Sequence, residues 1–166
     1  MEWRQGDFVV SDDPARVDVD VVQGFLTRSY WAEGIPRRTV ERSIAHSIPF
    51  GLYRSVPSEP ALQVGFARVV SDHATFAYLA DVFVLDAYRG QGLGSWLIEC
   101  ILDHPELQSL RRWLLATRDA HSLYRRFGWE PLASPERFME RLPAGRYARD
   151  RPAPNVGPSG TTGSDS

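Results

Sequence analysis

The chain has 166 residues, 43% of them hydrophobic and 24% charged, with a formal net charge of −2; this fits one soluble globular domain and leaves no basic footprint for nucleic acid. A single cysteine, Cys100, excludes an internal disulfide framework and suits a reducing compartment. No stretch approaches the roughly 20 apolar residues that span a bilayer, and MEWRQGDFVV lacks the apolar core of a signal peptide, so a cytoplasmic protein without a membrane partner is expected.

DFVV (Asp7 to Val10) predicts a short first strand, after which Asp12, Asp13 and Pro14 turn the chain. A helix capped by Asp18 or Asp20 and reaching Ser29 would bury Val21, Val22, Phe25 and Leu26. Gly34 and Pro36 interrupt the periodicity, and RRTVERSIAHS predicts a second helix with Val40 and Ile44 four apart. Three strands follow. FGLYRS is the first. LQVGFARVVS is the second, with Val64, Phe66 and Val70 toward the core. TFAYLADVFVL is the third; apolar on both faces, it should be central.

Past the glycines of YRGQGLG, the helix LGSWLIECILDH repeats Leu93, Trp96, Leu97, Cys100 and Ile101 at threes and fours. RRWLLAT predicts a further strand, and DAHSLYRRFG a short helix, with Asp119 as N-cap and Gly128 at the left-handed position after its end. GWEPL and RFMERL read as closing strands, the second with a helical alternative. Residues 1–142 form the expected domain. Residues 143–166, rich in Pro, Gly and Ser, are expected to be a disordered tail. Strands with interspersed helices make an α/β sheet of mixed direction, in which the unit from Phe76 to Thr117 crosses over right-handed between parallel strands.

Three glycines, Gly90, Gly92 and Gly94, fall within five positions after an apolar strand. Either a tight turn needs them, or a ligand comes close to the backbone. A nucleotide P-loop requires a lysine after the last glycine, and here Ser95-Trp96 follows. A dinucleotide fingerprint requires a third glycine where Ser95 stands. What remains is Arg89-x-x-Gly92-x-Gly94 between a central strand and a helix. With LYRRFGW (Leu123 to Trp129) downstream, this resembles the pyrophosphate loop and tyrosine-bearing helix of the GNAT superfamily of N-acetyltransferases. The motifs lie between Asp81 and Trp129; the resemblance extends over about Phe8 to Leu142.

The resemblance implies a mainly antiparallel central sheet with helices on both faces, and a splayed parallel strand pair at the cofactor site. It implies acetyl-CoA as co-substrate and an amine as acceptor, with direct attack in a ternary complex; a homodimer is compatible with it. Backbone N–H groups of Gly90, Gln91, Gly92, Leu93, Gly94 and Ser95 would cradle the diphosphate at a helix N-terminus, with Arg89 either adding charge or only bracing the loop. The main chain of Val82, Phe83 and Val84 would hold the pantetheine as a surrogate strand. Tyr124 matches the tyrosine that protonates the departing thiolate, although its helical stripe with Ala120, Leu123 and Phe127 also suits core packing. The asparagine often found seven residues before that tyrosine is Thr117 here. Asp81, a carboxylate in an apolar strand, is the candidate base or else a structural acceptor. In the family, the connection between the first two helices lies over the acceptor. Here Tyr30, Trp31 and Glu33 would bind the acceptor or pack as an anchor. No spacing of Cys and His suggests a metal. The alternatives are a catalytically silent CoA-binding sensor or scaffold with the same fold, and an acyltransferase for longer acyl-CoA.

Overall fold

A computed structural model describes residues 1–142; the tail expected at 143–166 lies outside the described residues. The strands are β1 (Glu2–Gln5), β2 (Phe8–Ser11), β3 (Ile48–Arg54), β4 (Leu62–Ser71), β5 (Phe76–Val84) and β6 (Arg112–Leu114). The helices are α1 (Val19–Leu26), α2 (Arg37–Ala45), α3 (Leu93–Leu102) and α4 (His121–Arg125). The six strands follow one another across a single sheet in the order of the chain. Neighbours from β1 to β5 are antiparallel, and β5–β6 is the parallel pair. The mixed α/β expectation and the expected parallel pairing of the strands on either side of α3 therefore describe the fold.

Two cores lie on the two faces. One joins Phe50, Leu52, Val64, Ala67, Val69 and Leu79 to the buried stripe of α3 (Leu93, Leu97, Ile98, Cys100, Ile101) and to Tyr124 of α4. The other joins Phe66 and Phe83 to Val22 and Leu26 of α1 and Val40 and Ile44 of α2. Within it the Phe25 and Phe83 rings stack at 3.9 Å. Asp18 caps α1 as expected, its side chain accepting from the Asp20 and Val21 N–H groups.

Four local expectations change. β1 was not foreseen: three of the four residues of EWRQ are polar and the strand is mostly exposed, and it is a strand because β2 pairs with it through a two-residue turn at Gly6 (φ +54°). Asp119 is not the N-cap of α4; Ala120 occupies that position, and Thr117 Oγ1 accepts from the Ala120 N–H at 3.1 Å. GWEPL and RFMERL form no strand; the only regular element past α4 among the described residues is a 3₁₀ turn at Pro135–Arg137. Val70 is 39% exposed, whereas its neighbour Val69 is fully buried. A register shift opposite Leu52/Tyr53 puts Val64 and Phe66 in different cores, and Val70 lies toward the uncovered end of its strand. No helix among the described residues is long and apolar enough to cross a membrane.

Candidate functional site

The parallel ladder between β5 and β6 covers only Phe76–Tyr78 against Arg112–Leu114. WLLAT therefore does not run as a strand to Thr117, and β5 continues from Leu79 to Val84 without β6 beside it. Val82, Phe83 and Val84 lie on this stretch. On its other side β5 carries a bulge. Phe66 pairs with Phe83 and Arg68 with Ala80, so Asp81 and Val82 together oppose Ala67. Asp81 takes φ +54°, a left-handed conformation uncommon for any residue but glycine. A bulge re-aims side chains and bends its strand; here it sits where the pair parts.

Asp81 is not a lone carboxylate in apolar surroundings. Its Oδ2 accepts from Arg68 Nε on β4, and its Oδ1 accepts from Trp31 Nε1 at 3.1 Å. The Asp81 side chain is only 10% exposed, and fixed donors hold both of its oxygens. Sequence alone did not single out Arg68. The signal was available only as an arginine in an otherwise apolar strand facing an aspartate on the next.

At the end of β5 a 3₁₀ turn, Asp86–Tyr88, leads into the glycines. Gly90 and Gly92 both have φ +76°. A Cβ added at either would meet no atom within 4 Å, so the backbone conformation requires glycine there and packing does not. Both readings of the glycines are thus compatible: the turn needs them, and the space before them is open. Gly92 is the residue from which α3 starts, and no side chain caps that end. The first N–H groups of α3, from Leu93, Gly94 and Ser95, carry the positive end of its dipole. Arg89 braces the loop: its Nε donates to Val84 O at 3.1 Å and its Nη1 lies 2.9 Å from Asp86 Oδ1. Arg126, just after α4, donates to Ser95 Oγ at 2.8 Å and ties the two helix ends together. Gln91 is exposed.

Tyr124 is 8% exposed and packs edge-on against Trp129, ring centroids 5.8 Å apart. Burial pushes its hydroxyl up to about 12, and the nearby Tyr30 adds to the shift; the phenol therefore keeps its proton across the neutral range. Tyr30 crosses from the α1–α2 connection to the segment after β6. Its hydroxyl accepts from the Arg118 N–H at 3.0 Å, and the Arg118 guanidinium lies 3.8 Å over its ring. Trp31 stands perpendicular to Tyr30 at 4.9 Å. Tyr30, Trp31, Asp81 and Tyr124 thus come together at the opening between β5 and β6. Glu33 is exposed in the same connection, and His121 is exposed on α4. Cys100 is buried in the α3 stripe, and burial raises its thiol to about 12, as befits a packing residue. A cavity of about 890 Å³ lies between β6, α4 and the segment from Trp129 to Phe138, and no residue of the glycine loop lines it.

Residues 58–131 match the acetyltransferase (GNAT) domain family. A Gibberella zeae protein named as an acetyltransferase is 35% identical over 140 residues, 74% of this chain and 78% of that one. A histone acetyltransferase of Glycine max is 33% identical over 132 residues, 72% of this chain and 54% of the relative, so the chain spans about half of that protein's length. Among solved structures, a Xanthomonas campestris pv. campestris protein assigned to the GNAT acetyltransferases is 45% identical, covering 85% of this chain and 96% of that one with a TM-score of 0.77. A Clostridium acetobutylicum neighbour, 11% identical with a TM-score of 0.58, shares the fold and was solved with acetyl-CoA, the family's acetyl donor. The splayed β5–β6 pair, the left-handed glycines before α3 and these relatives agree: the chain belongs to the GNAT family of acetyltransferases, and it is an acyltransferase enzyme.

Proposed function

We infer that the protein transfers the acetyl group of acetyl-CoA to a primary amine by direct attack in a ternary complex. The observation that carries this reading is the early end of the β5–β6 ladder, with a buried, protonated tyrosine at the opening. Backbone groups of Val82, Phe83 and Val84 that β6 leaves unpaired take the pantetheine as a strand would, because buried main-chain groups need partners. The N–H groups from Gly90 to Ser95 take the diphosphate, with Arg89 as the brace that shapes the loop.

The amine needs a place to bind as an ammonium and a way to lose its proton. Asp81 offers the first: its Oδ1 holds only the Trp31 indole, which an ammonium can displace while Arg68 keeps the carboxylate in position. The proton leaves to Asp81 directly or through water. Trp31 and Tyr30 form the aromatic wall, with Glu33 at its rim. As the amine nitrogen bonds to the carbonyl carbon and the carbon–sulfur bond breaks, Tyr124 gives its proton to the departing sulfur. The relatives are named as acetyltransferases, which favours turnover over a silent CoA-binding scaffold.

The test is thiol release from acetyl-CoA over an amine panel, with wild type and Tyr124→Phe. The variant keeps the ring and its packing, so melting temperature and CoA affinity should hold. Its kcat should fall by roughly 10²-fold, the low end for a positioned acid, since a thiolate is a fair leaving group, with little change in KM. Unchanged turnover would remove Tyr124 from the mechanism. No thiol release with any amine would sink acetyl transfer.

A further inference from the structure

A second cavity, about 590 Å³, lies between the α1–α2 connection and the loop that follows β5. Three guanidinium groups line it, from Arg28, Arg89 and Arg118, against one carboxylate, Asp86. Arg89 and Asp86 satisfy each other at 2.9 Å. Arg28 has no ion-pair partner among the described residues. Arg118 has only Asp119, at a long 3.7 Å with both side chains more than 60% exposed, which in water is worth little. The Arg118 guanidinium is nevertheless not loose: its central carbon lies 3.8 Å over the Tyr30 ring. From Tyr30 the wall runs to Trp31 and through the indole N–H to Asp81. The wall therefore carries a carboxylate at one end and, at the other, two arginines of which neither has a close ion-pair partner among the described residues.

We propose that the acetyl acceptor is an amine that also bears a carboxylate or phosphate, and that Arg28 and Arg118 receive this anionic group while Asp81 faces the amine. The inference rests on the acetyl-transfer reading and narrows its acceptor. Guanidinium forks pair with carboxylate and phosphate through two parallel hydrogen bonds, which fixes orientation as well as affinity. The same two charges repel a polyamine or a basic peptide. The cofactor's own phosphates are the competing source of anion. The loop from Arg89 to Ser95 already provides for the diphosphate, whereas Arg28 lies beyond the end of α1 and Arg118 stacks on Tyr30, both on the acceptor wall.

The experiment uses the full chain saturated with CoA. Calorimetry compares O-phosphoethanolamine and L-glutamate with ethanolamine and spermidine, on wild type, Arg28→Ala, Arg118→Ala and the double variant. At least one anionic amine should bind wild type about tenfold or more tightly than ethanolamine, a gain on the order of one charge-assisted pair, and spermidine should bind more weakly than either. The double variant should lose that preference while its CoA affinity stays within about twofold. Absence of a preference for either anionic amine, tighter binding of spermidine, or a loss of CoA affinity in place of the anion preference would each overturn the proposal. Thiol release measured in parallel separates the two readings. An anionic amine that binds while no amine of the panel releases thiol sinks acetyl transfer and leaves the anion subsite. Acetylation of cationic amines alone sinks the subsite and leaves acetyl transfer.

Discussion

The sheet has two unlike arms. From β1 to β5 every strand is antiparallel to its neighbour, and apolar side chains of β2 to β5 fill the cores, with Val10, Phe50, Leu52, Val64, Phe66 and Val69 fully buried. Between β5 and β6 the ladder lasts three residues, and the side chains of Trp113, Leu114 and Leu115 are half-buried. At this second arm Asp81, Gly90 and Gly92 all have positive φ, within or just after β5. A fully paired sheet has no backbone groups to offer a ligand. The second arm gives up pairing and burial to keep such groups free, and the first arm supplies the stability that allows it.

Equal truncations in the two arms should break the symmetry most. Leu52→Ala in the antiparallel arm should cost about 2–5 kcal/mol, the range for a fully buried leucine. Leu115→Ala beside the opening should cost about 1 kcal/mol, because half its surface is already in water. Denaturant unfolding of both variants decides it; equal losses would mean that the second arm is packed like the first. Smaller in free energy, but specific to binding, is a comparison of two left-handed glycines. Gly92 (φ +76°) and Gly6 (φ +54°) both have a left-handed backbone that a β-branched side chain rarely adopts, so replacement by valine strains each although no atom crowds a Cβ there. Both variants should lose stability to a similar degree. Only Gly92→Val should also weaken CoA binding, by tenfold or more in calorimetry, since its side chain would stand where the diphosphate approaches.

The smallest effect expected is a difference in pH response. In the antiparallel arm Asp12 is partly buried, which opposes its ionised form, but hydrogen bonds from the N-terminal ammonium and from His104 outweigh this and hold it below the usual carboxylate range. A depressed carboxylate contributes its stability above its unfolded value and loses it as pH falls through the folded one. The melting temperature of wild type should therefore exceed that of Asp12→Asn at neutral pH, and the gap should close below about pH 4. In the second arm the raised Tyr124 works at the other extreme: its contribution is complete below about pH 10 and is lost as pH rises through about 12. Tyr124→Phe should consequently narrow the alkaline fall in melting temperature and leave the acid limb untouched.

Much of the fold was legible because its signals are local. The cap at Asp18, the three- and four-residue stripe of α3 and the double-sided apolar run of β5 are each written within a dozen residues. β1 was not legible, because EWRQ has no apolar alternation and owes its strand form to β2. Nor were the closing strands rejected in advance: GWEPL and RFMERL have strand-like composition, but no neighbouring strand pairs with them. Of the candidate site, the glycines were legible because a positive φ excludes most side chains, and Tyr124 because LYRRFGW resembles the tyrosine-bearing helix of the GNAT superfamily. The sequence by itself determined the element types from β2 to α4 and the residues of the glycine loop, since steric limits on φ and apolar periodicity act between near neighbours. Only the tertiary structure decided that Asp81 shares its charge with Arg68 and Trp31, that Tyr30 stacks under Arg118, and that β6 stops at Leu114. Those contacts join residues 13 to 88 positions apart in the chain, and charge pairing at such separation depends on how strands align, which no local pattern records.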